Sequence, residues 1–183
     1  MAYTTQNSLL LHNLMDFYHS PEILDKMLNI INGESKISLR IVDWFSTNYA
    51  KKYYTVYELI NGSRFKVYID YKLKLRAYSK KRFDPFCRWE RISIPYKDGT
   101  SIQTTLGQLN FFKWALENEV IKYIEDNYST IENDMNSRNS TSRRKNENGG
   151  STTQKTRKKR EELSVSAAKS IKKENVEIIV QFN

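Results

Sequence analysis

Cysteine, histidine, glycine and proline are all scarce in this 183-residue chain, and each scarcity excludes a class of chemistry. The single cysteine, Cys87, permits neither an intramolecular disulfide nor a multi-cysteine zinc site, which fits a reducing compartment. It becomes a nucleophile only if His12 or His19, the two histidines of the chain, reaches it together with an orienting carboxylate. His12, Asp16 and His19 stand at i, i+4 and i+7 and would share a helix face, but no further ligand accompanies them, so no metal is expected. Six glycines form no phosphate-cradling loop or nucleophile elbow, and the carboxylates are too evenly scattered to nominate an acid and base pair. No catalytic residue and no cofactor are expected; a deep pocket lined by Asp43, Asp70 or Asp84 would revive the enzyme reading. No run approaches the roughly 18 apolar residues that span a bilayer, and the first residues lack the basic region of a signal peptide, so no membrane partner is expected. The sequons at Asn61, Asn127 and Asn139 are read as coincidental in an asparagine-rich chain.

What the chain has is rings and positive charge. Aromatics make up 13% of residues, enough large side chain to fill a core of about 100 residues. The net charge of +9 resides in two segments. Arg64–Arg91 holds ten basic and three acidic residues, a net +7, and Ser137–Glu174 holds twelve basic and four acidic, a net +8. The remainder is acidic on balance.

Periodicity predicts an α+β fold: a small single domain with N-terminal helices, two β-hairpins and a long C-terminal helix, followed by a disordered basic tail. Ser20-Pro21-Glu22 reads as N-cap, first-turn proline and first-turn acid of a helix that Gly33 stops, after a weaker helix from about Asn7 to Tyr18. A core helix is expected over 38–51. The pattern turns to β at Tyr53, with Asn61-Gly62 as a hairpin turn. From Phe65 to Ala77 apolar and basic residues alternate, which predicts a long strand with one basic face; a helix starting near Asp70 is the competing reading. Residues 78–89 read as an irregular connection around Asp84-Pro85. A second hairpin joins Arg91–Tyr96 to Thr100–Thr104, with Pro95 marking an edge strand. A helix capped by Thr104 or Thr105 follows, with a break near Glu117-Asn118. The expected organisation is an N-terminal helical segment at 1–34, a compact α+β domain at 35–135, a disordered basic tail at 136–174 and a terminal β-prone segment at 175–183. Within the tail, Leu163, Ala167 and Ile171 mark a short helix that is marginal alone.

The first basic segment interleaves cations with Tyr68, Tyr71, Tyr78, Phe83, Phe86 and Trp89, a combination in which ammonium and guanidinium groups meet phosphates while exposed rings stack on bases. Its candidate nucleic-acid contacts are Lys72, Lys74, Arg76, Lys80, Lys81, Arg82 and Arg88. The plainer reading makes the rings core and the cations a solvated face. In the tail, Arg143 and Arg144 followed after ten residues by Lys155, Arg157, Lys158, Lys159 and Arg160 match both a bipartite nuclear-import spacing and a generic phosphate-binding arm. Val176, Ile178, Val180 and Phe182 in the terminal run would add a strand to a partner's sheet edge, the structural or scaffolding alternative to nucleic-acid binding.

Three stretches, SLRIVDWFSTNYAKK, YKLKLRAYSKKRFDPFCRWERI and TTLGQLNFFKWALENEVIKYI, resemble a small family of uncharacterised proteins of nucleocytoplasmic large DNA viruses, with AYSKK and FDPFCR the most specific part. The resemblance covers about half the chain. It implies a setting in the virus factory of the host cytoplasm or in the virion, with the nucleus open through the tail, and it transfers no catalytic residue. DNA or RNA, and a viral protein partner for the terminal strand, are the partners so expected.

Overall fold

The computed structural model describes residues 6–147 and 173–174, with side-chain surroundings given as far as residue 138 apart from Asp98. Two helices begin it, α1 (Gln6–Phe17) and α2 (Pro21–Asn32). Ser20 is extended at the N-cap with Pro21 behind it, and Gly33 closes α2 at φ 77°, its N–H returning to the carbonyl of Asn29. That left-handed position favours a residue without a Cβ. The face of α2 carrying Leu24, Met27, Leu28 and Ile31 is buried.

Ser38 caps α3 (Leu39–Trp44) by accepting from the N–H of Ile41. The helix widens into a π-helical turn at Phe45–Tyr49 before α4 (Ala50–Lys52). Hydroxyls of Ser46 and Thr47 donate to the carbonyls of Val42 and Asp43, at 2.9 and 2.7 Å, competing with the backbone donors of an α-helix there. Strands β1 (Val56–Glu58) and β2 (Arg64–Lys66) pair antiparallel across a turn in which Gly62 takes φ 78°.

The long strand expected over 65–77 does not form. Helix α5 (Val67–Arg82) takes its place, starting three residues earlier than the competing reading and covering part of the expected irregular connection. β1 supplies partners for only three residues, so a strand extended to Ala77 would leave a row of backbone groups unpaired, whereas a helix satisfies them internally. Ser79 breaks the helix at φ 62°, ψ 168°.

The second hairpin agrees closely with expectation. β3 (Arg91–Pro95) pairs with β4 (Ser101–Thr105) in the register Arg91 to Thr105 through Pro95 to Ser101, and Pro95 lies on the edge strand. On the other side of β4, Ser101 and Ile102 pair with β5 (Lys173–Glu174). Thr105 caps α6 (Leu106–Glu117), its hydroxyl accepting from the N–H of Gln108 at 3.2 Å. Helix α6 is buried on nearly all sides, with Leu109, Phe111, Phe112 and Ala115 fully enclosed, and α1 and α5 pack on it. The expected break follows, with Glu119 at φ 54°, then α7 (Val120–Asp126) and α8 (Tyr128–Glu147).

One apolar core runs from Leu14 to Met135, so α1 and α2 share it with the hairpins and later helices. Rings run in succession from the exposed Tyr53 into it: Tyr53, Tyr49, Phe45, Tyr123, Tyr57, Phe65 and Trp114, each within about 6 Å of the next. Burial, with the nearby Glu119 carboxylate and the Tyr123 hydroxyl, pushes the Tyr57 hydroxyl far above its ordinary pKa.

The expectation of a disordered tail from Asn136 is corrected for 136–147, which continues α8. Ile131 and Met135 anchor that helix in the core, each further residue adds one hydrogen bond, and no glycine or proline intervenes before Gly149. Where α8 meets the π-helical turn, the nearly buried carboxylate of Asp134 accepts from Trp44 Nε1 at 3.2 Å, Lys52 Nζ at 3.0 Å and the Tyr53 hydroxyl at 3.1 Å, with Arg138 Nε 3.4 Å away. Burial alone would raise its pKa; hydrogen bonds from Lys52, Trp44 and Tyr53 and the charge of Arg138 outweigh that and hold it below the ordinary value. The expected helix at Leu163–Ile171 and the terminal run Val176, Ile178, Val180 and Phe182 lie outside the described residues.

Candidate nucleic-acid interface

Helix α5 sets Val67 and Tyr71 into the core, with Lys74, Leu75 and Tyr78 half-buried on the same side. Asp70, the one acid on the helix, accepts from Trp114 Nε1 at 2.7 Å. The outward side therefore carries Ile69, Lys72, Leu73 and Arg76, all exposed, and Lys80 beyond the break. Ile69 and Leu73 are 55% and 59% exposed, so this face is basic with two aliphatic side chains set among the cations.

The segment after α5 is held in place by its own side chains and by α6. Phe83 is fully buried against Tyr71, Tyr78, Phe111 and Trp114. Asp84 turns the chain: its Oδ1 accepts from the N–H of Phe86 at 2.9 Å and its carbonyl from the N–H of Cys87 at 3.0 Å. Helix α6 grips this turn through Asn110 Nδ2, which donates to the Arg82 carbonyl at 2.8 Å, and Thr105 Oγ1, which donates to the Cys87 carbonyl at 3.1 Å. Gly107 allows the close approach, since a Cβ there would stand 2.9 Å from the Asp84 carbonyl oxygen and 3.1 Å from that of Lys81. Past this clamp Arg88 and Trp89 are exposed, and Lys81 Nζ lies 4.7 Å from the Trp89 ring centroid.

Of the sequence-predicted contacts, Lys72, Arg76, Lys80, Lys81 and Arg88 are exposed, while Lys74 and Arg82 are half-buried. None of them has a carboxylate within 4.0 Å among the described residues; Arg82 bonds the Gln6 side chain instead, at 3.1 Å. The other two acids of the segment are also engaged, Asp84 in its turn and Glu90 with Asn7 and Trp89. Elsewhere lysines and arginines do pair: Lys52 and Arg138 with Asp134, Lys97 with Asp25, Lys113 with Glu117, Lys122 with Glu119.

The rings divide. Tyr71 and Phe83 belong to the core and Tyr68, Tyr78 and Phe86 are half-buried, so the plainer reading holds for most of them. Trp89, 58% exposed, is the ring of this segment available for stacking. Tyr68 carries Lys51 and Lys72 near its face, at 5.8 and 5.7 Å. Arg143 and Arg144 belong to α8, with side chains outside the described set, and Lys155, Arg157, Lys158, Lys159 and Arg160 lie outside the described residues.

Among the described residues no group of three histidine, cysteine or carboxylate side chains could hold a metal; His12 pairs with Asp16 at 3.7 Å in the open. No described helix is long and apolar enough to cross a membrane. Sequence reasoning missed the cleft between α1, α5 and α6, where Asn13, Asn110 and Lys113 join Lys74. Those residues lie far apart along the chain, and only the packing of α1 and α5 on α6 unites them.

A sequence model of a family of unknown function, DUF7197, matches residues 2–183. The uncharacterized protein L507 of Acanthamoeba polyphaga mimivirus is 44% identical over 133 residues, covering 68% of this chain and 51% of the viral protein. This chain thus spans about half the length of that relative. No solved structure matches.

Proposed function

From the premise that the chain belongs to the DUF7197 family of unknown function, with a mimivirus relative, we propose that it is a non-enzymatic viral accessory protein that binds nucleic acid through the face of α5 and the clamped loop after it. The observation that carries this reading is the pairing pattern. Seven cations on and after α5 have no carboxylate partner among the described residues, while Asp70 accepts from Trp114 and Asp84 from the N–H of Phe86, and the exposed Glu90 accepts from Asn7 and Trp89. A solvated face mixes signs, so an unpaired row of this kind suits phosphates, and Trp89 adds a ring on which an unpaired base can stack. The tail cations would add contacts that follow charge alone. Virus factory, virion and nucleus all remain settings in which such a protein would act.

The test is a gel-shift titration across salt with the full-length chain and a version ending at Glu147. The cut belongs there because ending at Met135 would remove Arg138 from its place beside Asp134. Both forms are expected to bind at about 50 mM salt and to weaken steeply as salt rises, because each neutralised phosphate releases counterions. Undetectable binding by both at that salt removes the reading.

A structural role is the second reading, and the pairing of β5 on the outer edge of β4 favours it, since that edge accepts an added strand. If deleting 175–183 abolishes self-association or incorporation into particles while nucleic-acid binding is untouched, the structural reading takes precedence.

A further inference from the structure

Ser79 interrupts α5 at φ 62°, ψ 168°, a backbone region that glycine alone enters without strain. The core holds that strain in place. Tyr78 and Phe83 stack with ring centroids 6.2 Å apart, whereas an unbroken helix would turn residue 83 about 140° away from residue 78. Ser79 is exposed, as are Ala77 before it and Lys80 and Lys81 after it. It stands in the middle of the seven cations that lack a carboxylate partner among the described residues: Lys72, Lys74 and Arg76 precede it, and Lys80, Lys81, Arg82 and Arg88 follow. It also carries the one aliphatic hydroxyl between Ser63 and Ser93.

Arg76 precedes Ser79 by three residues. A serine with a guanidinium at that spacing suits a protein kinase whose peptide cleft is lined by carboxylates. Such a cleft takes its substrate extended, and the break leaves the hydroxyl-bearing residue outside the regular helix. We propose that Ser79 is the phosphoacceptor of an arginine-directed serine kinase, and that its phosphate switches off the interface on α5. In the transfer, Ser79 Oγ attacks the γ-phosphorus of a magnesium-bound nucleoside triphosphate and the bond to the β,γ-bridging oxygen breaks. The nucleoside diphosphate leaves, and the hydroxyl proton passes to the catalytic carboxylate of the kinase. The product brings about two negative charges and three acceptor oxygens between Arg76 and Lys80. It would consume those cations internally, as Asp134 consumes Lys52 and Arg138. The switch rests on the function proposed above; the acceptor site does not.

The test treats the native full-length protein with the catalytic subunit of an arginine-directed serine kinase and magnesium ATP, then locates phosphate by peptide mass spectrometry. Mapping is needed because Arg138 likewise precedes Thr141 by three residues. Ser79 should be modified, at least about tenfold more slowly in Arg76→Gln. Ser79→Gly takes φ 62° without strain, so it should fold with a thermal midpoint no lower than that of the wild type and accept no phosphate at position 79. Binding of a fluorescent DNA duplex near 50 mM salt should weaken at least about tenfold in the phosphorylated wild type, with a log–log salt slope shallower by about 1–2 for the cations withdrawn. Kinase-treated Ser79→Gly should keep its affinity. No phosphate at Ser79 in the native chain overturns the proposal. Unchanged affinity after modification, or an equal loss in treated Ser79→Gly, overturns the switch. Modification of Ser79 in a chain that binds no nucleic acid beforehand would leave the acceptor site standing and remove the function proposed above.

Discussion

Where α8 meets the π-helical turn, two cations, an indole and a phenol converge on one carboxylate, Asp134; along α5 and the loop after it, cations of the same kinds stand with no carboxylate at all among the described residues. The first arrangement consumes its charge internally. Lys52 and Arg138 pin α8 to the core, and the Trp44 ring lies 5.6 Å from the Arg138 guanidinium. The second leaves its charge outward because Asp70, Asp84 and Glu90 each face another partner. A count of lysines and arginines therefore says little about role; the placement of the neighbouring acids decides it.

That contrast can be broken at several points. The largest effect is expected from Lys72→Gln/Arg76→Gln/Lys80→Gln in the full-length chain, which should weaken nucleic-acid binding by about 100-fold or more near 50 mM salt. The urea midpoint should barely move, since exposed substitutions stay within about 0.5 kcal/mol each. Asp134→Ala should do the reverse. Loss of a nearly buried acceptor shared by four donors should cost about 2–3 kcal/mol of stability by urea unfolding, with affinity unchanged in the folded protein.

Gly107→Ala tests stability and the α5 interface together. Its Cβ would press on backbone oxygens that cannot rotate away, so about 2 kcal/mol of stability should be lost, and the displaced loop should carry Arg88 and Trp89 out of register with α5. Trp89→Ala should cost about 1–2 kcal/mol of single-strand affinity by fluorescence anisotropy and leave duplex affinity nearly unchanged, because only an unpaired base offers a free face. The smallest effect is the acid response of the hub. Asp134 has a folded-state pKa below its ordinary value, so its stabilisation is fully present above the unfolded pKa of about 3.9 and fades as pH falls through the folded value. Asp134→Asn should flatten that part of the stability profile below about pH 4.

Much of this arrangement is legible in the residues themselves. Pro21 and Gly33 bound α2, the Arg91–Thr105 hairpin has its edge proline, and Thr105 caps the buried helix after it. The α5 segment misleads because a strict alternation of apolar and basic residues fits a strand, while Val67, Tyr71 and Tyr78 fit a helix within the same letters. What separates the two is the shortness of β1, a non-local fact. The cations of the interface could be named from composition, but their lack of partners could not, because Trp114, Asn7 and the Asp84 turn engage the local acids from distant positions or through backbone geometry. The same holds for Asp134, whose donors come from residues more than eighty positions earlier as well as from Arg138.

The salt dependence of binding tests the central claim most directly. Log affinity plotted against log salt for the full-length wild type and for Lys72→Gln/Arg76→Gln/Lys80→Gln should give two lines, the variant's shallower by about 2.7 if each removed cation had neutralised one duplex phosphate. Parallel lines of equal slope would mean that the unpaired cations of α5 touch no phosphate, and the proposed interface would be wrong.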